Sequence, residues 1–192
     1  MNGDPLTRLA QWVEQAGGLE SLNAIAMCLA TAGAGGRPSA RMVLLRGLDA
    51  RGLRFFTSYL SRKGRELAEN PQAAAVFYWP ALHRQARVEG TVVPLGDDES
   101  DQYFNSRPRG HRIAAWASEQ SEPLDEYATL EERFAHFDER FDGPDVPRPH
   151  SWGGYLVVPE RIEFWQGRPN RMHERTLYTR AAGVWEVALL QP

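Results

Sequence analysis

Positively charged side chains fall into four clusters along the chain. Guanidinium groups bind phosphate in a bidentate geometry, and an ammonium group binds it as a point charge. Taken alone, each cluster is typical of a solvated surface, but each has hydroxyl, amide or aromatic neighbours that suit a flat, phosphorylated ligand. The cations are Arg41, Arg46, Arg62, Lys63, Arg107, Arg109, Arg112, Arg171, His173 and Arg175, and the neighbours are Thr57, Ser61, Gln85, Tyr103, Gln120, Ser121 and Trp165.

Motifs for other kinds of chemistry are absent from the sequence. It contains no GxSxG, HExxH or CxxC, no P-loop, and no GxGxxG after a strand. The five histidines lack metal-ligand spacing, so no metal site is predicted. The one cysteine, Cys28, lies in the apolar run AIAMCLAT, which favours a packing role and excludes an internal disulfide. The reactive chemistry is therefore expected to come from a cofactor.

Length and composition predict one globular domain. The chain has 192 residues, of which 42% are hydrophobic and 24% charged. The net charge of -3 gives the whole chain no electrostatic attraction to nucleic acid or to an anionic membrane. No apolar run approaches the roughly 20 residues that span a bilayer, and no signal peptide is recognisable. A cytoplasmic protein is expected.

Periodicity and turn residues place the clusters on strands and helix starts. Asp4 and Pro5 begin a helix that is predicted to end at Gly17 and Gly18. A helix over 61–71 begins with basic residues, which oppose the helix dipole unless an anion binds there. Segments 25–33, 40–48 and 53–58 are predicted to form an antiparallel meander, and strands are also predicted at 72–79, 84–95, 153–159, 161–167, 175–180 and 184–190. Further helices are predicted at 97–107, 113–120 and 124–141, with an Arg-rich turn over 108–112.

These elements combine a majority of strands with a smaller number of helices. The combination is typical of a mainly β, α+β protein, and a small barrel with helices on its flanks is the fold that we predict.

Seven segments, in order and at this spacing, resemble the pyridoxine (pyridoxamine) 5'-phosphate oxidase family. They are RMVLLRG, FFTSYLSRKGRELAENP, RQARVEG, YFNSRPRG, AAWASEQS, WGGY and EFWQGRPNRMHER. The resemblance implies an FMN-binding split β-barrel, Greek-key-like, over residues 1–192, with an N-terminal helix in 1–20 and the barrel with inserted helices in 21–192. It implies a homodimer with FMN at the interface. It also implies oxidation of pyridoxine or pyridoxamine 5'-phosphate to pyridoxal 5'-phosphate, with oxygen as acceptor and hydrogen peroxide as product.

The same resemblance implies roles for individual residues. Arg171 and His173 would lie over the reacting carbon of the substrate. FMN would contact Arg41, Met42, Val43, Leu44, Leu45, Arg46, Phe56, Thr57, Arg62, Lys63, Gln85, Gln120, Ser121, Trp165 and Arg175. The substrate, a phosphorylated pyridine or another flat heterocycle, would contact Arg46, Tyr103, Arg107, His111, Arg171 and His173.

The sequence departs from the family pattern at the substrate's phosphate. Arg46 stands where the family usually has lysine, and His111 with Arg112 stand near a usual serine. The helix from Asp4 begins where fuller members carry an extension that closes over the substrate. An oxidase of a different substrate, such as a dihydrophenazine, and a non-catalytic flavin-binding barrel therefore remain alternatives. A nucleic-acid-binding module is disfavoured by the net charge and by the lack of a basic stripe with exposed aromatic residues.

Overall fold

A computed structural model describes residues 3–20 and 24–192, which form five α-helices and nine strands. The predicted start of the barrel region at residue 21 lies outside these ranges. The helices are α1 (Pro5–Glu20), α2 (Arg62–Glu69), α3 (Asp97–Ser106), α4 (Arg109–Ala117) and α5 (Tyr127–Arg140). The strands are β1 (Ala26–Ala32), β2 (Pro38–Leu44), β3 (Gly47–Asp49), β4 (Gly52–Ser58), β5 (Gln72–Trp79), β6 (Arg84–Pro94), β7 (Trp152–Gln166), β8 (Glu174–Ala181) and β9 (Val184–Leu190).

The strand order forces the antiparallel sheet to curl into a barrel. The order is β2-β1-β5-β6-β7-β4-β3, and β8 and β9 extend from β7. Strands β2 and β3 are at opposite ends of this path, yet only Leu45 and Arg46 separate them, a distance of at most about 11 Å. The backbone N–H of Leu45 donates to Ile25 O and that of Arg46 donates to Arg54 O, each at 2.8 Å. The predicted split β-barrel with flanking helices is confirmed.

Several local predictions were wrong. The segment 40–48 is divided between β2 and β3, because the chain crosses from one sheet edge to the other within it. Segments 153–159 and 161–167 form one continuous strand, β7, whose pairing with β6 shifts register between Glu89 and Gly90. The expected Arg-rich turn over 108–112 is mostly the first turn of α4.

The barrel interior holds the main core. Its largest side chains with almost no exposure include Phe55, Phe77, Trp79 and Phe164. Helix α1 covers one end of the barrel, and its Trp12 contacts the ring of Phe164 at a centroid distance of 4.9 Å. Helix α1 continues past the Gly17–Gly18 pair, where the sequence predicted its end, although residues 17–19 are exposed and no packing contact among the described residues accounts for the extra turn.

A second, smaller core lies between α3, α4 and the start of β7. Its buried residues are Phe104, Ile113, Val146 and Trp152, and aromatic residues of α5 pack against it. No helix within residues 3–20 and 24–192 is both long enough and apolar enough to cross a bilayer.

Glycine to alanine changes in two helices should have opposite effects on stability. A Cβ at Gly64 of α2 would lie 2.1 Å from the carbonyl oxygen of Tyr59, whereas one at Gly17 of α1 would have nothing within 4 Å. Gly64→Ala is expected to lower the free energy of unfolding by about 2 kcal/mol or more. Gly17→Ala should raise it by about 0.5–1 kcal/mol, because alanine is the better helix former. Urea denaturation of both variants measures this, and a stabilised Gly64→Ala would contradict the close approach.

Candidate active site

A cavity of about 1100 Å³ lies between the β2 edge, β4, the start of α2, and the α3–α4 region. It brings together most of the residues to which the sequence assigned a role. Those among its lining residues are Arg41, Met42, Val43, Leu44, Arg46, Phe56, Thr57, Arg62, Lys63, Tyr103, Arg107, His111, Gln120 and Ser121. Leu45 does not line the cavity, since its side chain is buried in the barrel core.

One end of the cavity is cationic and lies at the N-terminus of α2. The hydroxyl of Ser61 caps the helix by accepting from the N–H of Gly64. Lys63, only 6% exposed, donates from Nζ to Thr57 Oγ1 at 2.9 Å and to Gln120 Oε1 at 3.0 Å. Burial, with the nearby charge of Arg41, lowers the pKa of Lys63 to about 8. A helix start and a buried amine therefore converge on an anion-binding geometry.

Beside Lys63, a buried carboxylate joins two arginines. Glu66 Oε1 accepts from Arg62 Nε at 2.8 Å, and Glu66 Oε2 lies 3.3 Å from Arg41 Nη2. Thr31 and Ser39 donate their hydroxyls to the same carboxylate. We call these five residues the Glu66 cluster. Sequence reasoning missed Glu66, although its place four residues after Arg62 on one helix was a usable signal.

The other end of the cavity is aromatic. The rings of Phe56 and Tyr103 stack at a centroid distance of 3.9 Å, and Trp152 stacks behind Phe56 at 5.7 Å. The guanidinium of Arg107 lies 4.6 Å from the Trp152 centroid, and that of Arg46 lies 5.9 Å from the Tyr103 centroid. The stack gives the cavity a wall along which flat guanidinium groups and flat ligands can pack.

Arg107 is the cavity residue whose hydrogen bonding is incomplete. Its Nη1 atom is buried and has no hydrogen-bond partner within the part of the chain that the structure describes. Burial, with Arg46 nearby, lowers the pKa of Arg107 below its ordinary value, although a guanidinium stays charged at neutral pH. A buried, charged donor without a partner is costly unless a ligand supplies an acceptor. The cavity therefore favours an anionic group beside Arg107.

The remaining assigned residues form a second group outside the cavity. Gln85, Trp165 and Arg175 pair directly across β6, β7 and β8, so their side chains share one face of the sheet. The ring of His173 lies 4.6 Å from that of Trp165. Its Nδ1 accepts the backbone N–H of Arg168 at 3.2 Å, which leaves the proton of the neutral imidazole on Nε2.

Arg171 and Arg175 are constrained in different ways. Arg171 follows Asn170 in a turn where both have positive φ, 59° and 57°, a conformation that costs energy for residues other than glycine. Arg175 is held by Glu163, a carboxylate 5% exposed that accepts from its Nε at 2.8 Å and its Nη2 at 3.1 Å. Glu163 was also missed from the sequence.

The two groups lie on different parts of the sheet of a single chain. Strands β2 and β8 are five steps apart in the sheet, which is roughly 24 Å along its curved surface. The outer face between them carries small residues, such as Ala30 and Ala74, and two strongly exposed large ones, Met42 and Tyr78. One chain thus presents two separate halves of the predicted site.

Comparison with known families accounts for nearly the whole chain. Residues 19–140 match the family described as pyridoxamine 5'-phosphate oxidase, and residues 152–192 match the pyridoxine 5'-phosphate oxidase C-terminal dimerisation region. The chain belongs to the pyridoxamine 5'-phosphate oxidase family. The predicted family is confirmed, and the predicted enzyme class and cofactor, an FMN-dependent oxidase and FMN, are those of this family.

Named relatives in the oxidase family cover the chain almost completely. The pyridoxine/pyridoxamine 5'-phosphate oxidase of Anaeromyxobacter dehalogenans is 53% identical over 189 residues, covering 98% of this chain and 96% of the relative. The protein of the same name from Rubrobacter xylanophilus is 53% identical over 191 residues, covering 98% and 87%. The aligned region spans both halves of the predicted site.

Two solved structures share the fold. PhzG from Burkholderia lata, in complex with tetrahydrophenazine-1-carboxylic acid, superposes with a TM-score of 0.93 at 33% identity, covering 98% of this chain and 93% of its own. An oxidase-related FMN-binding protein from Nostoc punctiforme has a TM-score of 0.76 at 21% identity and covers 100% of both chains. The split-barrel architecture of the oxidase family is thus common to all three proteins.

Proposed function

We propose that this protein is an FMN-dependent oxidase that converts pyridoxine 5'-phosphate or pyridoxamine 5'-phosphate to pyridoxal 5'-phosphate. Pyridoxine phosphate and oxygen give pyridoxal phosphate and hydrogen peroxide, and the amine substrate also takes up water and releases ammonia. The observation that carries the proposal is one cavity that contains a cationic helix start at one end and the unpartnered Arg107 at the other. These two ends suit two separate anionic groups, one on a cofactor and one on a substrate.

The residues of this chain fit FMN. The phosphate would be held by Arg62, Lys63 and the free N–H groups at the start of α2, since all of these donate and carry positive charge. Gln120 and the β2 residues that line the cavity would contact the rest of the molecule. When bound, FMN supplies the acceptor for the hydride that leaves the C4' carbon of the substrate.

The substrate phosphate would meet Arg107 and Arg46, with Tyr103 and His111 completing the subsite. These contacts would hold the reacting carbon of the substrate in a fixed position. Much of the entropy that a bimolecular reaction loses would then be lost on binding rather than in the chemical step. Arg171 and His173 would lie over the substrate ring. His173 offers a proton-bearing Nε2, because Nδ1 is already occupied, so it would act as a hydrogen-bond donor rather than a base.

Because the second group of residues does not line the cavity of its own chain, the complete site would be built by a homodimer. Two copies packed through the outer face would place Trp165, Arg171, His173 and Arg175 of one against the cavity of the other. The exposed Met42 and Tyr78 and the small residues between them give the β2–β1–β5 part of that face an apolar, closely approachable surface. Its β6–β7 part carries the ion pairs of Arg87 with Glu89 and Glu163. The match of residues 152–192 to a dimerisation region supports this arrangement.

A second candidate is the oxidation of a dihydrophenazine on the same scaffold. PhzG, which is 33% identical, has a tetrahydrophenazine carboxylic acid bound in its structure. A carboxylate on a flat ring would also satisfy Arg107 and Arg46. The higher identity, 53%, to proteins named for the vitamin phosphates favours the first candidate.

One set of assays tests both candidates. The purified protein is expected to be yellow or to become yellow with FMN, and to produce peroxide from pyridoxine or pyridoxamine phosphate. The double variant Arg46→Lys, His111→Ser is expected to lower the KM for pyridoxine phosphate, because it restores the residues usual in the family. Turnover of a reduced phenazine carboxylate alone would favour the second candidate. A protein that cannot bind FMN would overturn both.

A further inference from the structure

We propose that Glu66 is a positioning residue that holds Arg41 and Arg62 in place for the cofactor phosphate, and thereby sets the preference for FMN over riboflavin. This inference rests on the proposed function, in which Arg62 and Lys63 hold the phosphate of FMN and Arg41 adds positive charge at the same end of the cavity. Glu66 does not line the cavity itself, so it acts through its neighbours. It lies on α2, the helix whose first turn carries Arg62 and Lys63.

The carboxylate of Glu66 is fully engaged. Ser39 donates to Oε1 at 2.9 Å and to Oε2 at 2.6 Å, and Thr31 donates to Oε2 at 2.5 Å. These hydroxyls come from β2 and β1, whereas Arg62 Nε reaches Oε1 from α2 itself. Glu66 therefore connects the edge of the barrel to the start of the helix.

The carboxyl group of Glu66 is ionised at neutral pH. Its side chain is 12% exposed, and burial opposes ionisation. Hydrogen bonds from its four partners outweigh that effect and lower the pKa of Glu66 to about 2. A charged, hydrogen-bonded carboxylate accepts from guanidinium groups more strongly than a neutral amide would.

The pairing with Glu66 leaves donors of Arg62 available. Arg62 is 56% exposed and uses only Nε in its contact with Glu66, and among residues 3–20 and 24–192 its two terminal nitrogens have no partner, so both are available to bind an anion. An exposed arginine without such a contact must be ordered on binding, at a cost of affinity.

Arg41 is ordered more completely by the same group. Its Nη1 donates to Thr31 Oγ1 at 2.5 Å and to Leu29 O at 3.3 Å, and its Nη2 contacts both Ser39 and Glu66. This network fixes the orientation of the Arg41 guanidinium group, which adds positive charge beside Lys63. Without the carboxylate, the two hydroxyls would lose their common acceptor and Arg41 its counter-charge.

Two effects of removing Glu66 oppose each other. Loss of its negative charge would raise the local positive potential and strengthen phosphate binding, whereas loss of positioning would weaken it. The carboxylate already has two cationic partners, so its field at the phosphate is largely neutralised. Positioning is therefore expected to dominate.

The test compares two flavins that differ only in the phosphate. In the full-length protein freed of flavin, Glu66→Gln is expected to weaken FMN binding about 10-fold or more while leaving riboflavin binding unchanged, as expected for loss of a charge-assisted contact. Dissociation constants come from quenching of flavin fluorescence. Ser39→Ala should reduce the FMN-to-riboflavin preference by about 5-fold, since it loosens the same carboxylate without changing its charge.

Glu69→Gln is the matched control. Glu69 lies on the same helix but accepts from the backbone N–H of Ala34, away from both arginines, so the flavin preference should not change. An unchanged or increased preference for FMN in the Glu66→Gln and Ser39→Ala variants would overturn the inference, since it would leave Glu66 with only a structural role or a repulsive one. If Glu66→Gln does not fold, the FMN-to-riboflavin preference of Ser39→Ala alone tests the inference. Wild-type protein that fails to bind either flavin would instead overturn the proposed function.

Discussion

Replacing Lys63 with methionine is expected to weaken FMN binding about 10- to 100-fold at neutral pH, the effect of losing one charge-assisted hydrogen bond. Lys63 is buried at the cationic end of the cavity, and its ammonium contacts only the neutral groups of Thr57, Ser61 and Gln120. A bound phosphate would give it a counter-charge. Calorimetric titration of the flavin-free protein with FMN measures the loss.

Arg65→Met is the matched control for Lys63→Met. Arg65 lies two residues further along α2, and its guanidinium contacts the carbonyl of Leu60 and the carboxylate of Glu122 instead of the cavity. Its removal should leave the FMN dissociation constant unchanged within about 2-fold, since exposed ion pairs contribute little. Equal losses in both variants would indicate a general effect of helix charge.

The same lysine makes FMN affinity depend on pH. Because the pKa of Lys63 in the flavin-free protein is about 8, affinity should fall as the pH rises above that value and the ammonium is lost. Between about 8 and the ordinary 10.5, the native state binds fewer protons than the unfolded state, so the free energy of unfolding of the flavin-free protein should increase with pH. Both trends should be absent in Lys63→Met. A pH-independent affinity in the wild type would contradict this account.

Replacing Arg107 with methionine is expected to raise the KM for the phosphorylated substrate about 10- to 100-fold, with a smaller change in kcat. Arg107 is the cavity cation with a buried, unpartnered Nη1, so the substrate phosphate would supply its missing acceptor. Methionine keeps much of the apolar contact with the Trp152 ring but cannot bind an anion. Steady-state peroxide production over a range of substrate concentrations separates the two constants.

Arg109→Met provides the contrast to Arg107→Met. The guanidinium of Arg109 contacts Asp138 and the carbonyl oxygens of Phe141 and Gly143. The variant should therefore lose thermal stability while its KM stays unchanged. If Arg107→Met also leaves KM unchanged, the anionic group of the substrate binds elsewhere.

Much of the fold could be predicted because local pattern and tertiary packing agree. The alternation in β5 and β6 and the Ser61 cap of α2 fixed those elements to within one or two residues. Local sequence patterns gave wrong predictions where contacts between residues far apart in sequence determine the secondary structure. Arg109 was expected in a turn, but it is the first residue of α4. Its side chain bonds to Asp138 and Phe141 at the end of α5, about thirty residues away in sequence.

The site was predictable only in part for a similar reason. Residues such as Arg107 and Lys63 are identifiable from charge and motif. The carboxylates Glu66 and Glu163 resembled ordinary solvated acids, because their burial depends on which strands become neighbours. The separation of Trp165 from the cavity also follows from strand order, which no local pattern contains.

The crossing between β2 and β3 connects the closure of the barrel to the proposed substrate subsite. Leu45 and Arg46 bond to opposite edges of the sheet, and Arg46 also projects into the cavity. A fluctuation that opened this seam would also withdraw from the cavity the cation that the proposed function assigns to the substrate phosphate. The closure of the barrel and the position of this cation thus depend on two adjacent peptide groups.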